Sequence, residues 1–170
     1  VIKTEKSVEQ VVLRLARNIG DSSSHFYDGK VLYGSDPIVP VQFFENGLKF
    51  HVDVVNGQKT GFFLDQRENR LQVKEISSGL SVLNVFSYTG GFSIYAISGG
   101  CRSLVEIDSN SFALKSSLQN LELNFPEEQK FKYLQIEGDA FQKLHDLQLQ
   151  KSKFDLVILD PPAFARKKTH

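Results

Sequence analysis

The sequence of 170 residues contains one cysteine, no methionine and no tryptophan, and its 20 basic residues are balanced by 20 acidic ones. One cysteine excludes an internal disulfide framework and a cysteine-based zinc site, and it is typical of a reducing, cytoplasmic compartment. Zero net charge removes any global argument for a nucleic-acid partner, which must instead be argued from local features. No apolar run approaches the roughly 18 residues of a membrane span, and the polar start carries no signal-peptide pattern.

The chain is expected to be a folded fragment of a longer protein. With 41% hydrophobic and 24% charged residues it has the composition of a globular domain, and its length can bury roughly 70% of the unfolded surface. It does not begin with methionine, and it stops shortly after a strand-like run and the turn Pro161-Pro162.

An amphipathic helix is predicted over Ser7–Ile19, because its apolar residues follow helical spacing. Ser7 is its expected N-cap and Gly20 its expected stop. The apolar positions are Val8, Val11, Val12, Leu15 and Ile19.

A β-hairpin is predicted further along the chain. The runs Val41–Phe44 and Leu48–Val54 flank Asn46-Gly47, a dipeptide that supplies the positive φ angles of a tight turn. In the second run apolar residues alternate with polar ones, so one face should be buried. Residues 1–76 are therefore expected to form a small α+β unit.

From residue 77 onward, short apolar runs alternate with helical patterns, which indicates parallel βαβ units in a doubly wound sheet. We therefore predict an α/β fold for residues 77–170. The expected strands are Val82–Phe86, Leu104–Ile107, Tyr133–Ile136 and Leu156–Leu159, and the expected helices are about Phe92–Ser98, Asn110–Leu123 and Ala140–Leu149. The last strand should form an exposed sheet edge that is disordered, paired with another chain or covered by further sequence.

Polar residues follow each strand, at the edge of the sheet where open α/β proteins bind ligands. The first strand leads into Ser87-Tyr88-Thr89-Gly90-Gly91, where paired glycines allow close approach of a ligand to the backbone and a helix N-terminus. Tight packing alone would also explain such a turn. The pattern is not G-x-G-x-x-G, which disfavours a dinucleotide.

Carboxylates end the next two strands. Asp108 is positioned to accept hydrogen bonds from ribose hydroxyls, or else it caps the following helix together with Ser109. After the third strand, Gly138-Asp139-Ala140 again places a carboxylate before a helix, where an N-cap is the alternative to a binding role.

The fourth strand ends in Asp160-Pro161-Pro162-Ala163-Phe164, the most specific feature of the sequence. Consecutive prolines fix φ and remove two donors, so Asp160 and the local carbonyls are held as acceptors. Phe164 can lie against a planar base, although a purely structural Pro-Pro turn is an alternative.

These four strand ends, beginning with Asn84-Val85-Phe86-Ser87, resemble the successive motifs of class I S-adenosylmethionine-dependent methyltransferases with a Rossmann-like sheet. Upstream, residues 57–70 resemble the segment that joins hairpin and catalytic domain in bacterial ribosomal RNA large-subunit methyltransferases. The nearest branch is large-subunit methyltransferase I, which makes 5-methylcytosine. The resemblance covers about Gln42 to Lys168.

The resemblance implies a role for each motif. The cofactor, S-adenosylmethionine, would contact the first strand and its loop, then Asp108 through its ribose and the third strand end through its adenine. The residues implied are Asn84, Phe86, Ser87, Tyr88, Thr89, Gly90, Gly91, Asp108, Ser109, Asp139 and Ala140, with Lys59, Thr60, Asp65 and Arg67 covering the cofactor. The catalytic residues implied are Asp160, Pro161, Pro162 and Phe164.

Methylation of cytosine C5 normally requires a thiolate that adds to C6. Cys101 precedes the second strand, at the opposite end of the sheet, so we interpret it as a small buried hydrophobe. The Asp160 motif also resembles that of amino-group methyltransferases, so methylation of an amino group or of guanine N7 stays open.

Two further classes are less favoured. A nicotinamide-dependent oxidoreductase lacks its glycine fingerprint, and a non-catalytic RNA-binding domain would not need Asp108 and Asp160. The implied partner is ribosomal RNA, with a homodimer as an option. No membrane contact and no metal are expected.

Overall fold

The computed structural model of the protein describes residues 8–15, 27–36, 39–57, 60–126 and 132–162. The chain divides into two compact units, Val1–Leu64 and Asp65–His170. The first unit contains the predicted hairpin, and the second contains the predicted α/β sheet. Among the helices that these ranges include, none is long and apolar enough to cross a membrane.

The β-hairpin of the first unit has the turn that Asn46-Gly47 predicts. Strand β3 (Val41–Glu45) pairs antiparallel with β4 (Leu48–Val52), and the two turn residues have φ angles of 50° and 80°. Positive φ at both positions is the requirement of a type I′ turn. Buried residues alternate with less buried ones along β4, so the predicted alternation is confirmed.

The predicted helix over Ser7–Ile19 is wrong for the part that the structure describes, residues 8–15. Val11–Val12 form strand β1, which pairs antiparallel with β2 (Val31–Tyr33). The next residue bonds across to residues 29–30 instead of to its own helical turn. Adjacent β-branched residues suit a strand better than a helix. The expected cap and stop lie outside the described residues.

Arg14 gives a further reason for the extended conformation. Its guanidinium donates to Val54 O at 2.8 Å and to Gly57 O at 2.7 Å, and it forms an ion pair with Asp28 at 3.0 Å. The hydrogen bond from Arg14, followed by that from the Leu15 N–H, lowers the pKa of the Asp28 carboxyl. One side chain therefore joins three separate segments of the first unit.

The second unit alternates helices and strands as predicted. Its helices are α1 (Arg67–Ile76), α2 (Gly91–Ser98), α3 (Ser111–Asn124) and α4 (Ala140–Leu149), with a short 3₁₀ helix at Leu64–Gln66 just before α1. Its strands are β5 (Ser81–Val85), β6 (Ser103–Asp108), β7 (Lys132–Glu137) and β8 (Leu156–Leu159). The predicted strands and helices of this unit agree with these bounds to within one or two residues.

The sheet has the strand order β7-β6-β5-β8, and every pair is parallel. The chain runs outward from β5 to β7 and then returns to the other side of β5. This reversal is the topological switch point at which open α/β sheets form a ligand crevice. The predicted doubly wound fold is confirmed.

Helix α1 was not predicted, because it lies in a segment interpreted as a connection between hairpin and sheet. Its sequence is rich in charged residues and has few apolar ones, although its polar and apolar residues lie largely on opposite faces and Val73 packs on an apolar cluster. It packs closely on α2: a Cβ atom added at Gly99 would lie 2.1 Å from Lys74 O. Close packing at a glycine and the partial burial of Val73 thus stabilise a helix that has too few apolar residues to stand out in the sequence.

Apolar side chains cover both faces of the sheet. One cluster includes Val82 of β5, Leu104 of β6 and Ile158 of β8, and the other includes Leu83 and Ile107. Neighbouring residues of β5 belong to opposite clusters, as the alternation of a strand requires. All five residues of β5 are buried, and β5 pairs on both sides as one of the two inner strands of the sheet.

Strand β8 is the predicted exposed edge. Within the described ranges it pairs only with β5, and Val157 and Leu159 are 48% and 58% exposed. It forms a regular strand, so the expected disorder is wrong, and the other two explanations of the edge stay predictions.

We expect Arg14→Lys to destabilise the first unit by about 1.5 kcal/mol or more, because the single nitrogen of lysine cannot reach the acceptors that three guanidinium nitrogens bond. Amide hydrogen exchange of peptides from residues 8–15 and 39–57 would measure the effect. Asp28→Asn is the matched control, since it keeps both carbonyl bonds and removes only the exposed ion pair. Equal acceleration in both variants would contradict the importance of the carbonyl bonds.

Candidate functional site

The loop that follows β5 has an unusual backbone. Phe86, Tyr88 and Gly90 have φ angles of 62°, 49° and 79°. The left-handed region costs a residue with a side chain roughly 1 kcal/mol or more, and it persists only where surrounding structure imposes it. We call residues 86–90 the β5 loop; its strain marks it as a candidate binding element.

Hydrogen bonds from two sides hold the β5 loop. The Tyr88 N–H donates to Asp108 Oδ2 at 2.7 Å, and the Ser87 N–H donates to Ile107 O at 3.1 Å. From the other side, Asn120 Nδ2 donates to Thr89 O at 3.0 Å. The end of β6 and the buried face of α3 therefore fix the loop between them.

Gly90 cannot carry a side chain. A Cβ atom at this position would lie 2.0 Å from Ser117 Oγ, and the φ angle is left-handed. Gly90 is the N-cap of α2, and Gly91 is its first residue. The N-terminus of α2 therefore opens directly from the loop and favours an electronegative ligand group there.

The hydroxyl of Ser87 is buried, and among the described residues it has no hydrogen-bond partner. A buried polar atom without a partner costs about 1–3 kcal/mol. A bound molecule that offers a donor or acceptor at the β5 loop would remove that cost. Ser87 is thus a predicted site residue whose environment is suited to a ligand.

Asn84 connects β5 to α2, the two elements that flank the β5 loop. It is buried on β5, and its Nδ2 donates to Ser93 Oγ of α2 at 2.9 Å. This bond joins the central strand to the helix that the loop precedes. The structure therefore gives Asn84 a contact within the framework, and its predicted contact with a cofactor stays a prediction.

Asp108 ends β6 beside the loop and does not cap α3. Its Oδ1 accepts from the Asn110 N–H at 2.9 Å while Oδ2 bonds the loop. The N-cap is Asn110, whose side chain accepts from the N–H groups of Phe112 and Ala113. The expectation that Ser109 caps this helix is wrong, because the amide of Asn110 reaches both donors. Asp108 keeps further acceptor capacity for hydroxyl donors.

At the end of β7 the N-cap alternative is confirmed for Asp139, whose side chain accepts from the Gln142 N–H at 3.0 Å. Asp139 is exposed, and Ala140 is buried as the first residue of α4. The next residue, Phe141, is 63% exposed, and its ring meets Phe86 edge-on at 6.4 Å between centroids. Sequence reasoning missed Phe141, although an aromatic residue directly after Asp139-Ala140 was the available signal.

Asp160, Pro161 and Pro162 are exposed at the end of β8. Leu159 pairs with Val85, so Asp160 and Phe86 follow side by side from adjacent strands. Phe164 lies outside the described residues. The structure thus brings Asp160 to the switch point next to the β5 loop.

The remaining predicted residues make local contacts. Thr60 Oγ1 donates to Phe62 O, and Arg67 forms an exposed ion pair with Glu68 at 3.1 Å. Asp65 is exposed in the 3₁₀ helix, and Lys59 lies outside the described residues. Their proposed contact with a cofactor stays a prediction.

Cys101 is buried in an apolar cluster before β6, at the end of the sheet opposite Asp108. Burial raises the pKa of its thiol to about 11. A protonated thiol at neutral pH is a poor nucleophile. The interpretation of Cys101 as a small buried hydrophobe is confirmed.

We expect Gly90→Ala to destabilise the second unit by at least about 2 kcal/mol more than Gly79→Ala. Both glycines are left-handed, with φ of 79° and 71°, but a Cβ at Gly79 meets nothing within 4 Å. The comparison therefore isolates the packing of Gly90 against Ser117. Denaturant unfolding followed by circular dichroism measures the difference, and equal losses would contradict it.

Comparison with known proteins gives this site a context. A family model described as S-adenosylmethionine-dependent methyltransferase matches residues 8–169. The chain is 45% identical over 159 residues to a ribosomal RNA large subunit methyltransferase of Deinococcus radiodurans, covering 92% of this chain and 38% of that protein. It is 46% identical over 138 residues to ribosomal RNA large subunit methyltransferase I of Aeromonas salmonicida, covering 81% and 34%. The chain therefore spans little more than a third of these relatives.

Solved structures agree with this. A crystal structure of a methyltransferase complexed with S-adenosylhomocysteine superposes with a TM-score of 0.73 at 31% identity, covering 82% of this chain and 36% of that one. An S-adenosylmethionine-dependent methyltransferase of Agrobacterium tumefaciens shares the fold, with a TM-score of 0.75 at 20% identity over 98% of this chain and 50% of that one. The chain belongs to the family of S-adenosylmethionine-dependent methyltransferases.

Proposed function

We propose that the protein containing this chain transfers a methyl group from S-adenosylmethionine to a base of large-subunit ribosomal RNA in the cytoplasm. The observation that carries the proposal is the β5 loop, which is strained, bonded to Asp108 and located at the switch point of the sheet. Relatives at 45% and 46% identity that are named ribosomal RNA methyltransferases support the substrate class.

The residues at this edge fit the cofactor. The unpartnered Ser87 hydroxyl and the N-terminus of α2 suit the polar methionine portion. The Asp108 carboxylate suits the ribose hydroxyls. Asp139 and Ala140 suit the adenine, and the exposed ring of Phe141 offers it an apolar surface. When bound, the cofactor supplies an electrophilic methyl group on a sulfonium.

The chain's own residues would hold the target base. Asp160 is an exposed acceptor beside the β5 loop, and the two prolines after it limit its backbone freedom. A base must leave its stack to enter such a crevice. Asp160 would orient the base through an amino group, while Phe164 would contact its face.

Cytosine C5 is the atom we propose as the methyl acceptor. This reaction needs a nucleophile at C6, and Cys101 is excluded by its burial and its position. The nucleophile would therefore come from residues other than those of this chain. The acceptor oxygens of Asp160 favour a second candidate, methylation of an exocyclic amino group, since that group would donate directly to them.

The cofactor site is tested by calorimetric titration of the chain with S-adenosylhomocysteine. We expect Asp108→Ala to weaken binding at least tenfold, about 1.4 kcal/mol, because it removes the ribose acceptor and the bond to the β5 loop. Asp146→Ala is the matched control, since Asp146 lies on α4 and its side chain, within the described part of the chain, contacts Gln142 and Lys143 of the same helix. Unchanged binding in Asp108→Ala would contradict the assignment.

The substrate is tested with the longer protein that carries this sequence and unmodified large-subunit ribosomal RNA. Mass spectrometry of the digested RNA is expected to show 5-methylcytidine, and Asp160→Asn is expected to lower its rate of formation by about a hundredfold. An N-methylated cytidine or 7-methylguanosine would instead support the alternatives. The absence of any methylated nucleoside would overturn the proposal.

A further inference from the structure

Glu106 is a fully buried carboxylate on β6, two residues before Asp108. Ser117 Oγ donates to it, lying 2.8 and 3.0 Å from its two oxygens. The Tyr133 hydroxyl donates at 2.7 Å, and Gln135 Nε2 donates at 2.9 Å. Three neutral side chains therefore donate hydrogen bonds to this carboxylate. Among the described residues, no lysine or arginine is seen to donate to it.

The side chains that donate hydrogen bonds to Glu106 remain donors at neutral pH. Burial, followed by the negative charge of Glu106 and the hydrogen bond to it, raises the pKa of the Tyr133 phenol. Tyr133 thus stays protonated and remains a donor over the whole physiological pH range. Gln135 Nε2 also donates to Leu114 O at 2.8 Å. The network of Glu106, Ser117, Tyr133 and Gln135, here called the Glu106 network, joins β6, β7 and α3.

The Glu106 network ends at the β5 loop. Ser117 lies directly against Gly90, so closely that a Cβ atom at Gly90 would overlap its hydroxyl. One turn further along α3, Asn120 bonds Thr89 O. The buried face of α3 therefore contacts two successive residues of the loop, and Glu106 holds the first of these contacts.

The burial of the Glu106 carboxylate costs free energy, so its presence is not explained by a gain in fold stability. Removing a charge from water is unfavourable, and apolar residues of similar volume often stabilise a core equally well or better. Buried polar groups can instead specify one geometry. Here the geometry specified is the position of α3 beneath a loop whose strained residues need support from their surroundings.

We propose that Glu106 is a positioning residue for the cofactor: through Ser117 it fixes α3 against Gly90 and so holds the β5 loop in its binding conformation. This inference rests on the cofactor site proposed above. Glu106 would thereby influence the affinity of the site through Ser117, although it lies on β6 and not in the β5 loop.

The test compares Glu106→Gln, Ser117→Ala and the double variant in this chain. We expect each single variant to weaken S-adenosylhomocysteine binding at least fivefold. The double variant should bind no less tightly than the single variant that binds less tightly, because both substitutions break the same connection. Amide exchange of peptides covering residues 86–91 without ligand is expected to accelerate in all three variants.

Val73→Ala is the matched control, because Val73 lies on α1, packs on an apolar cluster and is not part of the Glu106 network. It is expected to lower the melting temperature comparably while leaving binding within twofold and loop exchange unchanged. If Glu106→Gln fails to fold, Tyr133→Phe removes one donor and leaves the carboxylate, and a twofold to threefold weakening is expected.

The outcomes separate this inference from the proposed function. Binding that depends on Asp108 but changes equally in Glu106→Gln and Val73→Ala would overturn the inference alone, as would additive effects of the two single substitutions. Binding that does not depend on Asp108 would overturn the proposed cofactor site. If the chain binds no ligand at all, loop exchange decides: unchanged exchange in Glu106→Gln overturns the inference, and acceleration specific to the β5 loop supports it.

Discussion

The hydrogen bond between the Tyr88 N–H and the Asp108 carboxylate is the interaction on which the candidate site depends. It joins the ends of two neighbouring strands, and it acts on a residue in a left-handed conformation that a tyrosine rarely adopts. The same carboxylate is the predicted ligand of the ribose. Support of the loop and the proposed recognition of the cofactor would therefore depend on one side chain.

The register of the sheet brings the other site residues to that bond. Val85 pairs with both Ile107 and Leu159, so the residues after all three strands emerge at the same level. Asp108 pairs with Glu137 on the next strand, which carries Asp139 to the same edge. A parallel sheet thus converts four distant segments of sequence into one row of polar groups, and the reversal of strand order opens a crevice between them.

The sequence alone predicted this sheet well, because its strands are short apolar runs that alternate with helices. The turn at Asn46-Gly47 was equally predictable, since that dipeptide has a specific backbone requirement. Strand β1 was mistaken for a helix because its valines satisfy helical spacing while their partners on β2 lie about 20 residues away. Helix α1 was missed because most of its residues are charged or polar, and its close approach to Gly99 is a contact between separate segments that the local sequence does not indicate.

Within the site, prediction identified strand ends but not the bonds between them. Asn110 and Ser109 are equally plausible caps from sequence, and only the backbone decides that Asn110 serves. The sequence gives no sign that Glu106 has a positioning role, because the side chains that donate hydrogen bonds to it come from positions up to 29 residues away. Such long-range polar networks leave no local pattern.

Strand β8 has a consequence for how the chain behaves in solution. Among the residues that the structure describes, no strand pairs with its outer side, where the side chains of Val157 and Leu159 are exposed. An apolar strand edge is a template on which another extended segment can add. At high concentration the isolated chain is therefore prone to associate through this edge, and its solubility depends on a strand edge of the second unit.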